Sequence, residues 1–333
     1  MAKQYHVYGV GNALVDMEFE VSAQDLQDLN IDKGVMTLVD EARQSFLVEQ
    51  LQHHLGKQSG GGSAANTLVA IAQLGGKGFY SCKVANDESG TFYLQDLRAV
   101  GLETNLHNGD NNGEQGTTGK CLVLVTPDAD RTMNTFLGIT GSLSVKELNP
   151  DAIAASEYLY LEGYLVTSAT ALEAAIQAKS IAQTAGVKVA LSLSDPNMVE
   201  FFREGITQII GSGLDFIFAN ESEALGLAQA TNIEDALAHF KTLTQGFAIT
   251  RGAQGSLVFD GKELLEIQPF PVKAVDTVGA GDIYAGAFLY GITHGLSALQ
   301  SGTLASVAAS RIVSRYGARL ETQELRSLVA DVV

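Results

Sequence analysis

The chain has 333 residues, 46% of them hydrophobic and 18% charged, with 38 acidic against 21 basic side chains and a formal net charge of −17. That is enough apolar material for a substantial core and excludes a disordered chain, while a pI of about 4.7 without a basic patch argues against nucleic acid or an anionic membrane as partner. No run reaches the roughly 18 apolar residues of a membrane span, the N-terminus lacks a leader's apolar stretch, and Cys82 and Cys121 are too few for a disulfide framework or a four-ligand zinc site, so a cytoplasmic protein with reduced thiols is expected.

In chain order, Gln4–Gly9 reads as a strand, and Met17–Val21 and Val35–Val39 as short β runs. Helices are predicted over Ser63–Leu74 and Gly90–Ala99. Turn chemistry at Asn108-Gly109 and Asn112-Gly113 leads to a second β pair, Cys121–Thr126 and Thr132–Phe136. From there strand runs (Tyr158–Leu161, Lys188–Leu193, Asp215–Ala219, Phe247–Thr250, Ser256–Phe259) alternate with helical runs (Ser168–Thr184, Met198–Ile210, Ile233–Leu243, Gly281–His294, Ser297–Arg315). Such alternation predicts an α/β fold, a doubly wound, mostly parallel sheet with helices on both faces, in one unit spanning residues 1–333. The early β pieces, at about 17–40 and 105–140, predict a small inserted sheet that serves as a lid.

Polar residues close several strands: Ser194-Asp195, Asn220 with Glu221 and Glu223, and Thr250-Arg251-Gly252. Ligands of open α/β sheets bind outside the carboxyl ends of the strands, so these side chains gather at the edge where chemistry is expected. The most informative motif is Asp276-Thr-Val-Gly-Ala-Gly-Asp282, followed by a helical run. Free amides at a helix start favour an anion, and a carboxylate at Asp282 could take a proton from an attacking hydroxyl while those amides hold charge on a transferring phosphoryl group. The same residues also suit a helix cap and tight helix packing. Ser59-Gly-Gly-Gly-Ser-Ala-Ala-Asn66 lets a ligand hydroxyl reach the backbone, with Asn66 able to donate and accept, or is a flexible loop before a helix. Gly9-Val-Gly-Asn-Ala-Leu-Val-Asp16 fails as a dinucleotide fingerprint because Leu14 stands where the third glycine belongs. Asp16 could instead grip a diol, with Asn12 nearby, unless the two are a turn residue and a solvated acid. A P-loop is absent, since Cys121 follows Gly119-Lys120 and Glu114 stands where its first glycine belongs. His6, His53, His54, His107, His239 and His294 show no metal-ligand spacing.

Together, Gly60-Gly-Gly-Ser-Ala-Ala-Asn66 and Asp276-Thr-Val-Gly-Ala-Gly-Asp282 resemble the two signatures of the PfkB, or ribokinase-like, carbohydrate kinases, in order and spacing, over nearly the whole chain. Within that family Gly11-Asn-Ala-Leu-Val-Asp16, Leu191-Ser-Leu-Ser-Asp-Pro196, Asn220-Glu-Ser-Glu223 and Thr117-Thr-Gly-Lys-Cys121 are similar to the adenosine kinase branch, whereas Val278 departs from its usual Asn or Thr. The resemblance implies ATP-dependent phosphoryl transfer to the 5'-hydroxyl of a nucleoside, most simply adenosine to AMP, or to a related nucleoside or sugar, by a monomer or homodimer. It implies Asp282 as base, Gly279, Ala280 and Gly281 as anion hole, and Arg131 as a lid arginine. Asn12, Asp16, Gly61, Gly62 and Asn66 would hold the ribose, and Met36, Leu38 and Tyr164 the base. Asn220, Glu223, Thr250 and Gly252 would serve ATP, with Glu223 holding Mg²⁺ through water and Asp276 a candidate ligand for K⁺.

Overall fold

The computed structural model describes residues 3–34, 36–106, 115–127 and 131–332. The expected turns at Asn108-Gly109 and Asn112-Gly113, His107 and the first residue of the Val35–Val39 run lie outside the described residues.

The strands are β1 (Tyr5–Val10), β2 (Leu14–Glu20), β3 (Met36–Leu38), β4 (Leu55–Gly61), β5 (Gly78–Ser81), β6 (Glu103–Thr104), β7 (Thr118–Val125), β8 (Arg131–Gly138), β9 (Ser156–Glu162), β10 (Lys188–Ser192), β11 (Leu214–Asn220), β12 (Thr244–Thr250), β13 (Ser256–Phe259) and β14 (Leu264–Ile267). Among the described residues they form a nine-stranded sheet, β14-β13-β12-β11-β10-β9-β1-β5-β6, and a five-stranded sheet, β3-β8-β7-β2-β4. The large sheet is parallel from β12 across to β6 and turns antiparallel only at β13 and β14.

Both faces of the large sheet are covered, which explains why its central strands read as unbroken apolar runs. Along β9, Tyr158 and Tyr160 enter one core while Leu159 and Leu161 enter the other, and along β11 Phe216 and Phe218 oppose Ile217 and Ala219. The first core is roofed by the helices Ser63–Leu74, Ala280–Thr293, Ala298–Val313 and Thr322–Val332, the second by Ala169–Thr184 and its neighbours. The predicted helix Met198–Ile210 is two helices, Pro196–Phe201 and Arg203–Ile210, broken at Phe202 (φ −125°, ψ 25°). The first packs on Glu221–Ala228 and the second on Ala169–Thr184, so one straight rod could not serve both.

In the small sheet β2, β7 and β8 are close to expectation, but β4 was not anticipated. Its Leu-Gly-Lys-Gln-Ser-Gly-Gly sequence carries almost no strand signal, and its pairing with β2 supplies the structure. The helix Glu41–Leu51 was missed for a similar reason: it is polar, with only Gln44, Leu47 and Leu51 buried. No helix among the described residues is long and apolar enough to cross a membrane.

Candidate active site

The carboxyl ends of β1, β9, β10, β11 and β12 open toward one side of the large sheet, where the first turns of Ser63–Leu74 and Ala280–Thr293 also begin. Asp282 lies in the first turn of Ala280–Thr293. Ser63 Oγ donates to its Oδ1 (2.6 Å) and Asn66 Nδ2 to its Oδ2 (3.1 Å). Thr67 Oγ1 donates to its main-chain oxygen (3.2 Å). Burial raises the Asp282 carboxyl above the ordinary aspartate range, opposed by the Ser63 and Asn66 hydrogen bonds and the Arg319 charge.

The helix containing Asp282 begins at Gly279, whose left-handed backbone (φ 76°) only glycine adopts cheaply, and a Cβ there would lie 2.8 Å from Ala318. The Ala280 amide turns back to Thr277 O (3.2 Å), while a Cβ on the exposed Gly281 would meet no atom within 4 Å. The approachable donors are therefore the amides of Gly281 and Asp282, which have no acceptor within the first turn.

Asp16 comes from β2 in the other sheet. Gly61 is its packing partner across β4: a Cβ on Gly61 would sit 2.3 Å from the carboxyl atoms. Burial pushes Asp16 up to about 7, with the Asp282 and Asp96 charges adding to the rise and Arg319 and Arg131 opposing it. Gly62 caps the following helix with φ 98°. Asn66, 7% exposed, is pinned on its other side by Arg319, whose Nε donates to Oδ1 (2.8 Å) while Nη1 pairs with Asp96 Oδ2 (2.5 Å).

The Asn12 side chain turns to Glu162. Its main-chain N and Nδ2 donate to Oε1 (2.7 and 3.0 Å), and the Ala64 amide donates to Oε2 (2.8 Å). Glu162 is fully buried, and burial raises it to about 7 against those donors. It thus staples the end of β1 to the start of Ser63–Leu74.

Asn220 and Thr250 are register partners at the ends of β11 and β12. Asn220 and Glu223 form a reciprocal cap: Asn220 N and Nδ2 donate to the Glu223 carboxylate (2.9 and 2.7 Å), and Glu223 N donates to Asn220 Oδ1 (2.8 Å). Burial lifts Glu223 to about 7, and the charge of Asp195 adds to the rise. Gly252 follows on an open turn (φ 55°). The Glu223 carboxylate, with lone pairs left beyond those Asn220 uses, fits a hydrated divalent cation held through water more readily than a fully ligated one. Among the described residues no cluster of three or more His, Cys, Asp or Glu could hold a metal alone.

Asp276, the candidate K⁺ ligand, already has partners on both carboxylate oxygens. Its Oδ1 accepts from the Val278 amide (3.0 Å), its Oδ2 from the Gly317 amide (3.0 Å), and Arg131 Nη2 lies 2.9 Å from Oδ2. These partners suit an anion, and a monovalent cation on Oδ2 would compete with the guanidinium, leaving Oδ1 as the less crowded oxygen. Arg131 itself faces carboxylates, with Glu18 Oε2 at 3.4 Å, and joins the small sheet to the loop before Gly279. Tyr164 sits in the short turn after β9, its phenol raised by burial and by the charges of Asp195, Asp282, Glu162 and Glu223. Met36 and Leu38 stand on the edge strand β3, Met36 half-buried and Leu38 55% exposed.

Sequence reasoning passed over Ser63, although it lies inside a quoted motif, and Glu162, although it ends a strand just as Asn220 does. It had no signal for Arg319, whose partners are 253 and 223 positions away.

A model of the pfkB family carbohydrate kinases matches residues 31–325. The structure is similar to an adenosine kinase from Sinorhizobium meliloti, with a TM-score of 0.88 and 32% identity over 99% of this chain and 100% of that one. Adenosine kinase from Saccharomyces cerevisiae is 26% identical (86% of this chain, 88% of that protein), and 5-dehydro-2-deoxygluconokinase from Clostridium beijerinckii 30% identical (77% and 78%). With a family model spanning most of its length and a fold to match, the chain belongs to the pfkB family of carbohydrate kinases.

Proposed function

We propose that this kinase transfers the γ-phosphoryl group of ATP to the 5'-hydroxyl of a nucleoside, adenosine first among them. The reading is carried by one arrangement: a carboxylate in the first turn of Ala280–Thr293, beside approachable amides and electrostatically coupled to Asp16 from the opposite sheet. The adenosine kinase relatives support the choice of acceptor.

In this mechanism Asp16 accepts hydrogen bonds from the sugar's hydroxyls and turns the 5'-oxygen toward Asp282. Asp282 takes that hydroxyl's proton as the oxygen bonds to the γ-phosphorus and the bond to the bridging oxygen of ADP breaks. The amides of Gly281 and Asp282 meet the charge on the phosphoryl oxygens. Magnesium bound with the triphosphate would spread its negative charge, its water shell held by Glu223 with Asn220 and Asp195 alongside. The small sheet acts as a lid that keeps water from the reacting phosphoryl group, drawn down by the pair Arg131–Asp276. The test is an acceptor panel with Mg·ATP. Adenosine-dependent release of ADP is expected, and turnover with ribose or fructose but not adenosine overturns the assignment.

A second reading, phosphorylation of a free sugar acid or ketose, is favoured by the openness of Leu38 and by the 5-dehydro-2-deoxygluconokinase relatives. The same panel separates it. Tight adenosine binding in a calorimeter with no ADP formed would instead indicate a nucleoside-binding protein.

A further inference from the structure

We propose that Arg319 is a positioning residue for Asp282, acting through the Asn66 carboxamide and anchored by Asp96. The inference rests on the reading of Asp282 as the base. A carboxamide has two orientations that fit the same space, and only one offers its N–H to a carboxylate. Arg319 Nε can only donate, and it donates to Asn66 Oδ1 (2.8 Å), which turns Nδ2 onto Asp282 Oδ2 (3.1 Å). The guanidinium is fixed in turn by Asp96 Oδ2 (2.5 Å) on the helix Glu88–Ala99. The relay crosses the backbone of Gly60: a Cβ there would lie 2.2 Å from Asp96 Oδ2 and 3.2 Å from Arg319 Nη2, so any side chain at 60 would part the ion pair.

Among the described residues, the other titratable groups coupled to Asp282 from other elements are acids and phenols: Asp16 from β2, Glu162 and Tyr160 from β9, and Tyr164 beyond it. Against that background Arg319 both lowers the proton affinity of Asp282 by its charge and fixes the donor that Asn66 presents. Removing Arg319 acts in one direction. The carboxamide is free to offer its oxygen to the carboxylate, a positive charge is lost, and the base holds its proton to higher pH.

The experiment uses the full chain with Arg319→Met, Arg319→Lys, Asn66→Ala and Asn66→Ala/Arg319→Met. The Asp282 carboxyl is titrated by ¹³C NMR, its signal assigned by its loss in Asp282→Asn, and kcat is measured against pH with whichever acceptor the unaltered enzyme phosphorylates. Arg319→Met is expected to move both the NMR midpoint and the acidic limb of kcat up by at least one pH unit, with KM for ATP within two-fold. Arg319→Lys, which keeps a charge for Asp96, should show a smaller shift of the same sign. In the Asn66→Ala background the Arg319 substitution should move the midpoint less than half as far. An unmoved midpoint in folded Arg319→Met, or in Arg319→Lys should the Met variant fail to fold, overturns the proposal, as does a full-sized shift without Asn66. If no acceptor is phosphorylated, the kinase reading fails, while the NMR midpoint still decides the role of Arg319.

Discussion

Two donors, Ser63 and Asn66, occupy the Asp282 carboxylate, so under the proposed mechanism an incoming hydroxyl must share or replace one of them. Asp282→Asn removes the proton acceptor while keeping size, and kcat should fall by about 10²- to 10⁴-fold, the usual worth of a general base. ATP affinity by calorimetry should change little, and an unaltered turnover would remove Asp282 from the mechanism. Glu162 makes a different prediction. Its folded carboxyl titrates near 7, above the ordinary glutamate value of 4.5, so the folded state binds the proton more tightly than the unfolded one. Its contribution to stability is therefore complete below about pH 4.5 and lost as pH rises through about 7. The total is on the order of 3 kcal/mol. Glu162→Gln should flatten the decline of Tm across that window, and parallel curves for variant and parent would refute the linkage. Legibility at this scale follows sequence distance. Asp282, Gly281 and Asn66 stand in short motifs whose meaning is local. Arg319 follows an unremarkable Tyr-Gly-Ala, and its use exists only once three distant segments meet.

Helices Ser63–Leu74 and Ala280–Thr293 must lie close together for Ser63 and Asn66 to reach Asp282. Gly286 is where they touch: a Cβ there would come within 2.7 Å of Thr67 O and 2.8 Å of Ala70 Cβ. Replacing a mid-helix glycine by alanine ordinarily stabilises a helix by up to ~1 kcal/mol. Here the sign should reverse. Gly286→Ala is expected to cost about 1–3 kcal/mol by overpacking and to lower kcat by prising Asn66 from Asp282. Urea denaturation measures the first effect, and a stabilised variant would show that the helices are not in tight contact. Where a serine cap meets a long apolar face, as at Ser168 and Ser297, the helix was legible locally; the polar helix Glu41–Leu51, although capped by Asp40, was not. The breaks were not: Phe202 interrupts a sequence with good helical periodicity because its two halves have different neighbours.

At the scale of the whole molecule the net charge of −17 matters, because the proposed substrate is a polyanion. Long-range repulsion slows encounter and is screened by salt. At fixed free Mg²⁺, kcat/KM for ATP should rise between about 10 and 150 mM salt, over which the screening length falls from about 30 to 8 Å. A fall over that range would mean that a local positive field outweighs the global one. The division into two sheets was anticipated from the early β pieces, but one strand of the small sheet was not, since β4 takes its place by pairing and not by composition.

The chain leaves β1 of the large sheet and enters β2 of the small one through Gly11, Asn12 and Ala13 alone, and the middle residue is fastened to Glu162. Any rocking of one sheet on the other therefore pivots within the reaction pocket. At about 3.4 Å per strand residue, Asp16 lies roughly 7 Å beyond the start of β2 and Glu20 roughly 20 Å. A tilt that swings Glu20 through several ångströms displaces Asp16 by about a third as much. The leverage runs outward, so the mouth can gape while the carboxylate proposed to grip the acceptor stays nearly in place.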